Sequence, residues 1–350
     1  MEMFDVNSLV RENVKSLKPY SSARDEFKDF GQELVFLDAN ENPFENGVNR
    51  YPDPQQRNLK AVLAQREGLE QNQVLLGNGS DEVLDLIFRA FCEPNIDNII
   101  TIPPTYGMYK VLAETNAIEN REVLLTTNFE PDVSGILGQV NTQTKLIFIC
   151  SPNNPTGNGF GAEKIETLLR QFRGIVVIDE AYVDFSGEGS WTTKLEQFPN
   201  LIVTQTLSKA YGMAGIRLGI CYASEQIIAV LNKIKPPYNV NGLTQQKALQ
   251  RVLDVETVRK EVERILTERK SLEKSLKSVD FIDHIFPSDA NFILVRVDAA
   301  DLRYQQLISK GIVIRNRSTQ PLCENTLRFT VGTTEENNKL ITALKELSNG

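Results

Sequence analysis

The chain has one histidine in 350 residues, His284, and that scarcity removes whole classes of mechanism. No multi-histidine metal site can be assembled, so no metal is expected, and a Ser-His-Asp triad would rest entirely on His284. His284 stands in Asp280-Phe-Ile-Asp-His-Ile-Phe286, a strand end, and reads as structural. Cysteine is sparse too: Cys92, Cys150, Cys221 and Cys323 are far apart and form no C-x-x-C pair. They read as free, mostly buried thiols in a reducing compartment. No apolar run approaches the ~20 residues of a membrane span. The start, Met1-Glu-Met-Phe-Asp-Val6, lacks the basic-then-apolar order of a secretory signal, so a cytoplasmic protein is expected. Basic charge is short as well. With 38 Lys+Arg against 46 Asp+Glu the net charge is -8, which argues against a nucleic-acid partner. Small phosphorylated ligands need only a local cluster and stay open. The remaining chemistry belongs to lysine, carboxylates and hydroxyls, or to a cofactor.

A chain this long is expected to hold one large core and one smaller one. Helical patterns at 55–67, 81–92, from Gly107 onward, 132–139 and 162–172 alternate with strands at 74–76, 98–102, 122–125, 145–150, 174–179 and 201–206. Near-continuous apolar strands imply that both sheet faces are covered, and the alternation implies a largely parallel α/β sheet. Lys235-Pro-Pro-Tyr238 ends that register. Beyond it runs one long helical pattern from Ala248 to Leu276, then a strand at 291–296, a helix at 302–310, strands at 312–314 and 326–330, and a helix at 335–347. That order describes a small α+β unit. The expected division is an N-terminal arm, 1–36, set with the smaller unit; a large ligand-binding domain, 37–238; and a small domain, 239–350.

Open α/β sheets bind ligands beyond the carboxyl ends of their strands, and the unusual motifs fall there. Thr206-Leu-Ser-Lys-Ala-Tyr-Gly-Met-Ala-Gly-Ile-Arg217 closes the strand 201–206. Lys209 there can form a Schiff base with an aldehyde, while Thr206, Ser208 and Arg217 can hold a phosphate. An aldehyde that carries a phosphate is pyridoxal 5′-phosphate (PLP). Gly77-Asn-Gly-Ser-Asp-Glu82 opens a helix, where Ser80 and Asp81 sit at an anion-attracting N-terminus or simply cap a turn. Tyr106, in Pro103-Pro-Thr-Tyr-Gly107, suits stacking on a flat heterocycle or burial as a core aromatic. Ser151-Pro-Asn-Asn-Pro-Thr-Gly157 is a stiff loop that projects Asn154 toward a phenolate oxygen. Asp179, at the end of an apolar strand, can pair with a protonated pyridine nitrogen, and Tyr182 is near enough in sequence to reach the same ring. A solvated strand-end carboxylate is the rival reading of Asp179. Arg328, between apolar Leu327 and Phe329, is the better candidate for a fork on a carboxylate or phosphate; for Arg315 and Arg317, which end the neighbouring strand, a surface salt bridge is the rival reading.

Taken in order, Leu37-Asp-Ala-Asn-Glu-Asn-Pro43, Arg50-Tyr-Pro-Asp53, the motifs above and Leu327-Arg-Phe-Thr-Val-Gly332 resemble the class II, fold-type I PLP-dependent aminotransferases. Within them they are similar to the histidinol-phosphate aminotransferase family. The resemblance covers nearly the whole chain. It implies a large domain with a mostly parallel sheet plus a smaller α+β domain, PLP as cofactor, and amine transfer between glutamate and imidazole acetol phosphate in histidine biosynthesis. It implies that Lys209 carries the cofactor and moves a proton, that Asp179 pairs with the ring nitrogen, and that Asn154 and Tyr182 contact the 3-oxygen. Tyr106 would stack on the ring, and Ser80, Asp81, Thr206, Ser208 and Arg217 would hold the phosphate. Tyr51 would reach that phosphate in the other subunit of a homodimer, and Tyr20, Arg315 and Arg328 would receive the anionic end of the substrate. Aromatic-amino-acid aminotransferases and threonine-phosphate decarboxylase share most of these motifs, and a non-catalytic PLP-sensing module is a remoter alternative.

Overall fold

Alternate residues of the central strands feed two different cores. In β4 (Thr144–Cys150), Ile147 and Ile149 face one layer, while Leu146, Phe148 and Cys150 face the other. A strand buried on both faces can be apolar throughout, which explains the continuous runs in the sequence. The structure, a computed structural model, describes residues 4–19 and 35–348. Its larger sheet comprises β1 (Val74–Asn78), β2 (Asn98–Thr101), β3 (Glu119–Glu122), β4, β5 (Ile175–Asp179), β6 (Leu201–Thr206) and β7 (Leu218–Ala223), in the order β1-β7-β6-β5-β4-β2-β3. From β3 across to β6 every pairing is parallel, and only β7 runs against both of its neighbours. The smaller sheet is antiparallel, in the order β10-β11-β9-β8. Its strands are β8 (Ile282–Ile285), β9 (Phe292–Val297), β10 (Arg315–Asn316) and β11 (Thr326–Thr330). A third core lies between this sheet and the helices Val255–Leu276, Ala300–Ser309 and Thr334–Ser348. The α/β architecture expected from the sequence is present, with the larger sheet mixed only at β7.

Several elements differ from their sequence expectations. The strand expected at 122–125 is instead β3, which is polar because it forms the sheet edge and needs no second apolar face. The apolar residues after it turn off the edge, and Leu125 N–H donates to the Pro103 carbonyl at 2.8 Å. The strand expected at 312–314 begins three residues later, at Arg315. The long helical pattern beyond Tyr238 is two helices, Gly242–Leu253 and Val255–Leu276, broken at Asp254, whose carboxylate accepts from Thr257 N–H at 3.4 Å. Ala248 and Val252 of the first still pack into a core of the larger sheet, past the boundary expected at 238.

The N-terminal arm also needs correction for residues 4–19. Val6, Val10 and Val14 join the core of the larger sheet rather than that of the smaller one. Arg11 fixes this arrangement through Glu93 at 3.2 Å and through its own N–H to the Ala90 carbonyl at 3.1 Å. All four cysteines are free and buried, and His284 is exposed on β8, its ring edge-on to Phe286. Among the described residues no cluster of metal-ligating side chains occurs, and no helix is long and apolar enough to cross a membrane.

Candidate active site

Parallel strands end along one sheet edge, and the residues just past those ends meet in a cavity of about 240 Å³. Ser80 and Asp81 arrive after β1, Tyr106 after β2, Asn154 after β4, Asp179 and Tyr182 at β5, and Thr206, Ser208 and Lys209 at β6. Arg217 arrives differently. It precedes β7, and because β7 is antiparallel, its start lies on the edge where the other strands finish. Register brings Asp179 beside Cys150 on one side and Thr204 on the other.

One end of the cavity is built to let backbone come close. Gly79, with φ +82°, caps the helix Ser80–Phe91, whose N-terminal amides and dipole favour an anion. A Cβ at Gly79 would stand 2.7 Å from Arg217 Nη2, and one at Gly219 would stand 2.4 Å from both Gly79 C and Ser80 N. Only glycine fits at either position. Arg217 takes a left-handed φ of 54° and reaches back over this cradle, with Nη2 3.9 Å from Asp81 Oδ2. Thr206 Oγ1 lies 3.0 Å from Ser208 Oγ and also accepts from Ser208 N–H at 3.1 Å. Two hydroxyls, a guanidinium and a helix start therefore face one small volume, a set suited to a phosphate.

The middle of the cavity holds a buried acid without a cation. Asp179 is 3% exposed; its Oδ2 accepts from Tyr109 OH at 2.8 Å and its Oδ1 from Ala181 N–H at 3.2 Å. Burial pushes its carboxyl above the usual range, with the Tyr109 hydrogen bond the main opposing cause. Among the described residues no lysine or arginine forms an ion pair with it. A protonated ring nitrogen placed here would restore the charge that burial opposes. Tyr109 had no assigned role in the sequence reading, because one turn past Tyr106 it looks like a core aromatic. It is one, stacked on Phe148 at 5.0 Å, but its hydroxyl positions the acid.

Lys209 Nζ lies 5.8 Å from the centre of the buried Tyr182 ring. Burial, and next the charge of Arg328, lower its ammonium below the ordinary lysine range, with Asp179 opposing. More of it is therefore the neutral, nucleophilic amine. Tyr106 donates to Asp81 Oδ1 at 3.0 Å, and burial followed by the Asp81 charge keeps its phenol protonated. Asn154 Oδ1 accepts from Arg328 Nη1, which ties β11 of the smaller sheet to the cavity rim. Arg315 is exposed on β10 as the register partner of Arg328. Tyr51 is outside this cavity, stacked on Tyr238 at 4.5 Å. Tyr20 lies outside the described residues.

A nucleophilic lysine, an uncompensated buried acid and an anion cradle within one cavity fit a phosphorylated aldehyde with a basic ring. The profile of the class I and II aminotransferases matches residues 28–344, and the chain belongs to that family: it is an aminotransferase. It is 65% identical to a histidinol-phosphate aminotransferase of Flavobacterium johnsoniae, over 99% of this chain and all of that one. Its fold is similar to the crystal structure of a histidinol-phosphate aminotransferase from Clostridium acetobutylicum, with TM-score 0.80 and 26% identity over 86% of this chain and 91% of that one. A third protein shares the fold at TM-score 0.77 and 22% identity, over 86% of this chain and 83% of its own. It is the histidinol-phosphate aminotransferase of Sinorhizobium meliloti, solved in complex with pyridoxal-5'-phosphate.

Two variants test this geometry. Gly219→Ala should lower stability by about 1–3 kcal/mol and weaken PLP binding, read from urea unfolding and cofactor titration; wild-type values for both would make the close approach dispensable. Arg328→Gln removes the charge that acts most strongly against the Lys209 ammonium, so the pH profile for acetylation of Lys209 in the apo-protein should move upward. A profile that stays in place, or moves down, contradicts the electrostatic account.

Proposed function

We infer that the chain is a PLP-dependent transaminase that exchanges an amine between glutamate and imidazole acetol phosphate, giving 2-oxoglutarate and histidinol phosphate, in histidine biosynthesis in the cytoplasm. The observation that carries the cofactor is the meeting of Lys209, Asp179 and the Gly79–Gly219–Arg217 cradle in one cavity. The 65% identity along essentially the whole chain supports the substrates.

The bound cofactor supplies an electron-withdrawing ring that stabilises negative charge developing at the substrate Cα. Asp179 keeps the ring nitrogen protonated, and Tyr109 and Ala181 hold that carboxylate in place. Tyr182, whose phenol burial keeps protonated, and Asn154 would hold the 3-oxygen, and Tyr106 would cover the ring face. Ser80 and Asp81 backbone amides, with Thr206, Ser208 and Arg217, would hold the phosphate. Lys209 Nζ would hold the cofactor's aldehyde and would be the base that moves the proton at the substrate Cα. Arg328, with Arg315 and Tyr20, receives the anionic end of the substrate.

Tyr51 and Tyr238 lie close to an open groove of about 750 Å³ formed by the 39–52 segment and the start of the helix Gly242–Leu253. Phe44, Val48 and Leu243 are exposed at or beside it, a face suited to a second copy of the chain. In the proposed homodimer Tyr51 crosses this face to the phosphate of the other subunit.

The test is conversion of the PLP-loaded protein to its amine-bearing form by histidinol phosphate, glutamate, phenylalanine or threonine phosphate. Histidinol phosphate and glutamate should convert it fastest, and Lys209→Ala should slow either reaction roughly 10³-fold or more. Fast conversion by phenylalanine with none by histidinol phosphate would overturn the substrate assignment. An unimpaired Lys209→Ala variant would overturn the role of the lysine.

A further inference from the structure

Where the smaller sheet meets the cavity, the charges do not balance. Arg315 and Arg328 stand opposite each other on β10 and β11, and Arg317 follows β10, its N–H donating to the Thr326 carbonyl at 2.9 Å. Among the described residues none of the three arginines forms an ion pair with a carboxylate, so the surface salt bridge of the rival reading is absent at Arg317. Arg317 is half-buried, whereas Arg315 is exposed. The Nε atoms of Arg317 and Arg328 are both buried without a hydrogen-bond partner, and so is the hydroxyl of the next residue, Ser318. The charge of Arg317 disfavours the Arg328 cation. Burial and then Arg317 bring Arg328 down to about 10, and burial and then Arg315 hold Arg317 below its ordinary range. The charges of both also act on the buried phenol of Tyr182, which lines the cavity.

Two half-buried cations and an idle hydroxyl make an expensive arrangement unless an anion completes it. A carboxylate has one charge and two oxygens, which a single guanidinium fork satisfies. A phosphate monoester has a charge near −2 and three outer oxygens at neutral pH, which call for a second fork. On the reading that the substrate's anionic end docks at Arg328 beside the exposed Arg315, we propose that Arg317, with Ser318, is a further, half-buried arm of that site and selects a phosphate monoester dianion over a carboxylate. Arg317 is thus a specificity residue that binds the substrate's phosphate and takes no part in the proton transfers at Lys209.

The experiment compares half-reactions of the PLP-loaded protein with histidinol phosphate and with glutamate, in wild type, Arg317→Gln, Arg317→Lys and Arg328→Gln. Measurements are made above and below the ester's second pKa of about 6. Above it, Arg317→Gln should raise the KM for histidinol phosphate on the order of 10- to 100-fold, with a much smaller change in kcat and in the KM for glutamate. Below it, where the ester is a monoanion, the difference between the substrates should shrink. Arg317→Lys should recover part of the loss, and inorganic phosphate should compete less well against the Gln variant than against wild type. An equal loss for both substrates at every pH, or no loss for either, overturns the proposal for Arg317. If Arg328→Gln leaves both substrates unaffected, the docking at Arg328 itself is wrong. If it impairs both while Arg317→Gln discriminates nothing, only the Arg317 assignment falls.

Discussion

A carboxylate buried at the end of β5 is the constraint around which the cavity is organised. Asp179 receives two hydrogen bonds and no ion pair among the described residues, so its charge is held in an environment that disfavours it. Tyr109 maintains that position, and Tyr109 is itself fixed between Tyr106 and Phe148. The acid thus depends on the aromatic core beneath the sheet as well as on its own strand. A cationic ring bound beside it would supply the missing charge. On the proposed function that requirement would set the place of the ring, with Lys209 toward the reacting carbon and the glycine cradle toward the phosphate.

The larger sheet makes this possible through one reversal. Were β7 parallel to its neighbours, Arg217 would enter from the opposite edge, far from the helix start that it overlies. Its antiparallel course also puts Gly219 against Gly79, where a side chain on Gly219 would separate the strand from the helix start. The smaller sheet contributes a different kind of group. Its arginines bring positive charge to the rim, and Arg328 connects them to the cavity through Asn154. On the proposed function, cofactor chemistry would fall to the larger sheet and substrate selection to the smaller.

Much of the cavity was legible in the sequence, because its loops are written in residues with narrow conformational tastes. Glycine, proline and short polar side chains directly after apolar runs mark strand ends, and ligands collect at strand ends in this architecture. What was not legible depends on partners distant in the chain. The segment Leu218–Ala223 is apolar enough to be a strand, yet nothing local gives its direction. Glu119–Glu122 is a strand without apolar residues, since an edge needs none. Tyr109 reads as core until its hydroxyl is seen to meet Asp179. Arg317 reads as a surface charge until its surroundings are seen to lack an acid. The packing side of residues 4–16 was equally hidden, because three valines at helical spacing fit either core.

The account stands most directly on the protonation of the cofactor's ring nitrogen, which 15N NMR of the protein loaded with ring-labelled PLP reports. A protonated nitrogen at neutral pH in the wild type, lost in Asp179→Ala, is the predicted result. A neutral nitrogen in the wild type, or one that stays protonated without Asp179, would contradict the role given to the buried acid.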